Sequence, residues 1–114
     1  MHMIEAVIKP NRLDAVKTAL VEKGIIGATA VECKGYAKQR GHSERYRGPK
    51  LDVGFIPKVL LKVCVRPEDK DVAVKTIMET ARTGKGEIGD GKVFVYAIAE
   101  VYRVRTGESG PAAV

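Results

Sequence analysis

Four stretches of this chain carry the apolar signature of extended backbone, and two carry a helical stripe. In Met3 to Lys9, Ile4, Ala6 and Ile8 share one face, which predicts a first strand ended by Pro10. Asn11 is placed to cap a helix, with Asp14 in the capping-box position and Leu13, Val16, Ala19 and Leu20 as its apolar stripe. Gly24 closes that helix. Ile25 to Tyr36 is apolar and β-branched on both faces, so it reads as a long strand buried on both sides. In Phe55 to Arg66, Val59, Leu61, Val63 and Val65 face one way, and Lys58, Leu60, Lys62 and Cys64 the other. Pro67, Glu68, Asp69 and Asp71 then start a second helix with the stripe Val74, Ile77, Met78 and Ala81. Val93 to Ala99 is the last core strand, Glu100 to Thr106 a short strand or hook, and Gly107 to Val114 a loose tail.

This order of strand, helix, strand, long arm, strand, helix, strand predicts an α+β fold, the ferredoxin-like βαββαβ plan with an antiparallel sheet and both helices on one face. A second strand buried on both sides then needs a cover for the open face, and copies of the same chain in a closed ring supply it. Between the second and third strands, Ala37 to Gly54 holds many charges, three glycines and a proline with no sustained period. Long irregular segments in small domains carry function or disorder, and this one reads as an interaction arm.

Bulk properties narrow the chemistry. With 114 residues the chain is one domain. The net charge of +6 and isoelectric point near 9.4 suit an anionic ligand. Two Phe, four Tyr and no Trp leave few stacking platforms, so nucleic acid is not expected. Cys33 and Cys64 sit in strand-like runs without CxxC spacing, which favours buried thiols in a reducing compartment over a zinc site. No apolar run reaches the roughly 20 residues of a membrane span, and the first residues lack the apolar core of a signal peptide, so the expected location is cytoplasmic, without direct membrane insertion.

The candidate chemistry lies between Thr83 and Lys92, Thr-Gly-Lys-Gly-Glu-Ile-Gly-Asp-Gly-Lys. Four glycines and two lysines in this stretch allow a tightly bent backbone whose N–H groups point inward, as a phosphate cradle requires. Arg103 and Arg105, two apart, would leave the same face of an extended chain, where an anion relieves their repulsion. Loop and arginine pair together point to a polyphosphate ligand, and a nucleotide is the leading candidate.

Across nearly its whole length the chain resembles the PII nitrogen-regulatory signal proteins. The matching stretches are Ile-Glu-Ala-Val-Ile-Lys-Pro at the start, Arg-Leu-Asp-Ala-Val, Val-Glu-Cys-Lys-Gly-Tyr with Gln39-Arg40-Gly41-His42, Tyr46-Arg47-Gly48, Pro57-Lys58, Ala81-Arg82-Thr83-Gly84, Ile88 to Val95, and Arg103-Val104-Arg105-Thr106-Gly107. The resemblance implies one domain over 1–114, with a T-loop at about 37–55, a B-loop at about 82–92 and a C-terminal hook and tail at about 100–114. It further implies a homotrimer whose intersubunit clefts bind ATP or ADP competitively, with 2-oxoglutarate joining Mg-ATP at the base of the T-loop. Carried over by position, phosphates meet Gly89, Asp90, Gly91 and Lys92 and the clamp Arg103 and Arg105. The adenosine end meets Gly27, Thr29 and Cys64, bordered by Gly35 and Lys38. Gln39 is similar to the residue that helps hold Mg²⁺ and 2-oxoglutarate, and Lys58 to the one that pairs with the 2-oxoglutarate carboxylate. An ammonium channel or nitrogen-metabolism enzyme would be met by Arg45, Tyr46 and Arg47 of the T-loop.

Three departures stand out. Leu51 occupies the place of the tyrosine that many members have uridylylated, and carries no nucleophilic oxygen. Lys85-Gly86-Glu87-Ile88 is longer than the usual segment before Gly-Asp-Gly, which threatens to bring Glu87 near the phosphates. Lys62 stands where an acidic residue is common, and Lys38 replaces the usual arginine and its bidentate fork. The rival readings are a divergent adenine-nucleotide sensor with another co-ligand, a slow ATPase lacking an evident general base, and an RNA-binding module lacking aromatics on its central strands. The leading expectation is a sensor, not an enzyme.

Overall fold

The computed structural model describes residues 1–37 and 54–114. Strand β1 spans His2–Ile8, helix α1 Leu13–Glu22, β2 Thr29–Gly35, β3 Ile56–Val65, α2 Lys70–Ala81 and β4 Gly91–Ala97. Single 3₁₀ turns at Pro10–Arg12 and Pro67–Asp69 lead into the helices, and a third covers Gly110–Ala113. The four strands form one sheet in the order β2-β3-β1-β4, every neighbouring pair antiparallel. This is the ferredoxin-like arrangement expected from the apolar pattern.

Strand alternation builds the core directly. Ile4, Ala6 and Ile8 of β1 and Val59, Leu61, Val63 and Val65 of β3 point to the helix side, where they meet Val16 and Leu20 of α1 and Ala73, Ile77 and Ala81 of α2. The side chain of Arg12 joins the two helices, donating from Nε and Nη2 to the Thr80 carbonyl at 3.0 and 2.6 Å. That carbonyl lies in the last turn of α2, where backbone acceptors lack helical partners.

Several local expectations are corrected. Asn11 does not cap α1: it lies within the first 3₁₀ turn, and Arg12 takes the N-cap position without a side-chain cap bond. Pro10 starts that turn early, and the Arg12 amide reaches the Lys9 carbonyl at 3.0 Å, so the entry is made by backbone. Gly24 does close α1. It has φ +83°, its amide donates to the Val21 carbonyl, and the Ile25 amide donates to the Leu20 carbonyl, the paired pattern of a Schellman ending. The buried stripe of α2 is Ala73, Thr76, Ile77 and Ala81; Met78 is exposed and Val74 only partly covered. Thr76 is accommodated because its hydroxyl donates to the Val72 carbonyl at 2.7 Å.

The second strand is shorter than expected, and within one chain neither of its faces is fully buried. β2 is an edge strand with no fully buried residue, because it pairs with β3 alone and lies beyond the main helix cover. β4, the opposite edge, is likewise only half-buried at Val93 and exposed elsewhere, so it is not a core strand. The C-terminal residues are not a loose tail: the Gly110 amide donates to the Val101 carbonyl at 3.0 Å, and Arg66 Nε donates to the Pro111 carbonyl at 3.2 Å.

Candidate functional site

The glycine-rich loop leaves α2 at Ala81 and enters β4 at Gly91. Gly91 opens β4 opposite Ile8, and a Cβ there would lie 1.7 Å from the Val7 carbonyl oxygen. With φ at +114°, only glycine fits that approach. Asp90 organises the rest of the loop. Its Oδ2 accepts from the amides of Thr83 at 3.1 Å and Glu87 at 2.8 Å, and its Oδ1 accepts from the Thr83 hydroxyl. Lys9, at the end of β1, places Nζ 3.3 Å from Asp90 and 3.2 Å from Glu87. Burial pushes the Asp90 carboxyl up, but the Thr83 hydroxyl, the two amides and Lys9 outweigh it and hold the group far below the ordinary carboxylate range.

Asp90 is therefore the loop's internal tie, and its side chain is not turned out toward a ligand. The neighbouring cations frame the loop. Lys58 donates to the Gly89 carbonyl, and Lys92 lies on the open face of β4 opposite Val7. Lys58, Gly89, Gly91 and Lys92 line a cleft of about 280 Å³ that is closed on its other side by Gly35 and Tyr36 at the end of β2. Tyr36 packs edge-on against Phe55, ring centres 5.0 Å apart, where the chain leaves and re-enters the described residues.

A second cleft of about 340 Å³ holds Gly27, Thr29, Lys62 and Cys64 beside Ala113 and Val114. The nucleotide candidates thus fall into two groups within one chain. Thr29 sits directly across from Lys62 in the β2–β3 register, whereas Gly35 lies at the far end of that ladder. Burial raises the Cys64 thiol pKa, which favours the protonated form. Lys62 faces Glu5 of β1, with 3.8 Å between charged atoms.

The arginine pair does not have the predicted extended geometry. Tyr102 makes a single bridge to Ser109, and residues 104–106 turn between them, closed by the Gly107 amide on the Arg103 carbonyl at 2.8 Å. Arg103 pairs with Glu108 at 2.9 Å and Arg105 lies within the turn, so the two guanidinia do not leave one face of a strand. Lys38, Gln39, Arg45, Tyr46, Arg47 and Leu51 lie outside the described residues. Sequence reasoning began the loop at Thr83 but missed Lys9 as its partner. The role of Lys9 depends on the β1–β4 register, which sets Ile8 against Gly91 and carries Lys9 to the loop.

The family model for "Nitrogen regulatory protein P-II" matches residues 1–108. The chain belongs to the P-II family. Among its relatives, the nitrogen regulatory protein P-II of Klebsiella oxytoca and the nitrogen regulatory protein P-II 1 of Escherichia coli (strain K12) are each 50% identical over 114 residues, covering 100% of both chains. The nitrogen regulatory protein P-II of Pasteurella multocida (strain Pm70) is 48% identical over the same length. The family match covers the glycine loop, the arginine-bearing turn and the residues of both clefts other than Ala113 and Val114. Among the described residues no helix is long and apolar enough to cross a membrane, and no group of three or more His, Cys, Asp or Glu side chains is placed to hold a metal ion.

Proposed function

We propose that this P-II protein is a cytoplasmic sensor that binds ATP or ADP in clefts between copies of itself. In this reading 2-oxoglutarate and Mg²⁺ join ATP at the base of the T-loop, and the protein acts on an ammonium channel or a nitrogen-metabolism enzyme through that loop. The observation that carries the reading is the glycine loop. Asp90 and Thr83 hold it bent, and its Gly89 and Gly91 backbone lies between Lys58 and Lys92 at the mouth of a cleft. A bent glycine loop of this kind supports a phosphate-binding reading, since such backbone can aim N–H groups at an anion.

The division of candidates between two clefts supports an intersubunit site. Gly35, Lys58, Gly89, Gly91 and Lys92 line one cleft, and Gly27, Thr29 and Cys64 line the other. In a homotrimer the first set of one protomer can meet the second set of its neighbour, with Arg103 and Arg105 reaching across as the clamp. Lys38 and Gln39 complete the site, and Gln39 would hold Mg²⁺, whose chemistry here is to neutralise phosphate charge. Arg45, Tyr46 and Arg47 would contact the target, and Leu51 removes uridylylation at its position. A hydrolase is the poorer fit, since both carboxylates of the loop are engaged by Lys9 and Thr83.

Light scattering with calorimetric titration of ATP, ADP and AMP, with and without Mg²⁺ and 2-oxoglutarate, tests this reading. A trimer that binds ATP and ADP supports it; a monomer indifferent to all three overturns it. Arg103→Ala and Arg105→Ala are expected to weaken ATP binding about tenfold or more, because a charge-assisted phosphate contact contributes about 1.5 to 3 kcal/mol. Unchanged affinity in both variants removes the clamp assignment.

A further inference from the structure

The two carboxylates of the glycine loop meet the same lysine. Lys9 Nζ lies 3.1 Å from Thr83 Oγ1, 3.2 Å from Glu87 Oε1 and 3.3 Å from Asp90 Oδ1. One ammonium therefore serves two carboxylates. Thr83 Oγ1 also lies 2.5 Å from Glu87 Oε1, but its single proton reaches either Glu87 or Asp90 at a given moment.

The two acids are not equivalent. Asp90 takes two backbone amides and its side chain is 17% exposed, so it is built into the loop. Glu87 is held by side-chain contacts to Lys9 and Thr83 and is 60% exposed. Of the two, Glu87 is held by side chains alone, so its carboxylate is the freer charge. Glu87 lies two residues before Gly89 in the loop, and its partner Lys9 runs along the Gly89 backbone: Lys9 Cε would lie 3.8 Å from a Cβ on Gly89, and Lys58 Nζ 3.5 Å from the same point.

We propose that Glu87 is a specificity-determining residue of the nucleotide site, its exposed carboxylate weighing against each added phosphate charge. The loop then holds ATP less strongly relative to AMP than its lysines alone would dictate. This inference rests on the nucleotide reading above and adds to it a residue that sets the ranking among adenine nucleotides. A purely structural role for the Lys9–Glu87 contact makes a different prediction. Losing either partner would then loosen the loop alike, whereas losing a charge acts with the sign of that charge.

The test is calorimetric titration of the full chain with AMP, ADP and ATP, without magnesium, at low and at physiological salt, for wild type, Glu87→Gln and Lys9→Gln. In Glu87→Gln the preference for ATP over AMP is expected to rise about two- to fivefold at low salt and to shrink at higher salt, the range and screening of a partly exposed charge. In Lys9→Gln the preference should move the other way. Both variants moving together, or Glu87→Gln shifting all three nucleotides equally or none, overturns the inference while leaving the nucleotide site standing. Should Lys9→Gln not fold, the salt dependence of Glu87→Gln decides alone. Wild-type protein that binds none of the three overturns the nucleotide reading itself.

Discussion

The two faces of the one sheet are opposites. On the helix side, Ile4, Ala6 and Val63 are 0% exposed. On the other side, the edge strands present Val31 of β2 at 44% and Phe94 and Tyr96 of β4 at 51% and 44% exposed, flanking the Lys62–Glu5 pair. The helix face of β1 and β3 is covered within one chain. The open face holds apolar surface and both clefts. The core and the proposed ligand site thus lie on opposite sides of shared backbone, so most substitutions should affect one far more than the other.

The largest expected effect is on the helix face. Ile77→Ala should destabilise the protein by about 2 to 5 kcal/mol through lost burial and a residual cavity, read as a shifted denaturation midpoint. A cost under about 1 kcal/mol would mean that α2 does not complete the core as packed. Next comes Phe94→Asp on the open face. It should leave the far-ultraviolet dichroism of the chain intact but lower the mass seen by light scattering, since a charge at a buried interface is strongly unfavourable. An unchanged oligomer would remove this face from the assembly.

Asp90 gives an intermediate effect with a defined pH window. Its carboxyl is held below the ordinary carboxylate range in the folded protein, so its contribution is fully present above the unfolded value, about 4, and fades as pH falls below it. Wild-type stability should therefore drop more steeply than that of Asp90→Asn on acidification below about pH 4, measured by thermal melts across pH. Parallel curves would show that the loop's bonds to Asp90 are weak. The smallest effect is Lys62→Met. At 3.8 Å, with Lys62 40% exposed, the Lys62–Glu5 pair should contribute less than about 1 kcal/mol to stability. A larger loss would mark the pair as part of a desolvated interface.

Much of this was legible before any coordinates. Period-two runs in β1 and β3 named seven sheet residues of the core, and Gly24 named the end of α1. The failures have physical causes. Asn11 lost its capping role because Pro10 began a 3₁₀ turn that supplied backbone partners. β2 looked buried because β-branched composition reports a need for cover and does not say which chain supplies it. The arginines looked extended because spacing alone does not show that Gly107 closes a turn on Arg103. At the glycine loop, residue types pointed to phosphate chemistry, but the division of labour between Asp90 and Glu87 could not be seen.

The amino-acid order alone determined the ferredoxin-like fold and the location of the loop, because apolar periodicity and glycine placement act over a few residues. Only tertiary structure decided that Lys9 reaches across 74 positions to Thr83, that Lys58 meets Gly89, and that the sheet keeps one face open. Those outcomes depend on strand register and on how much surface two helices can cover, quantities that exist only once distant segments have met.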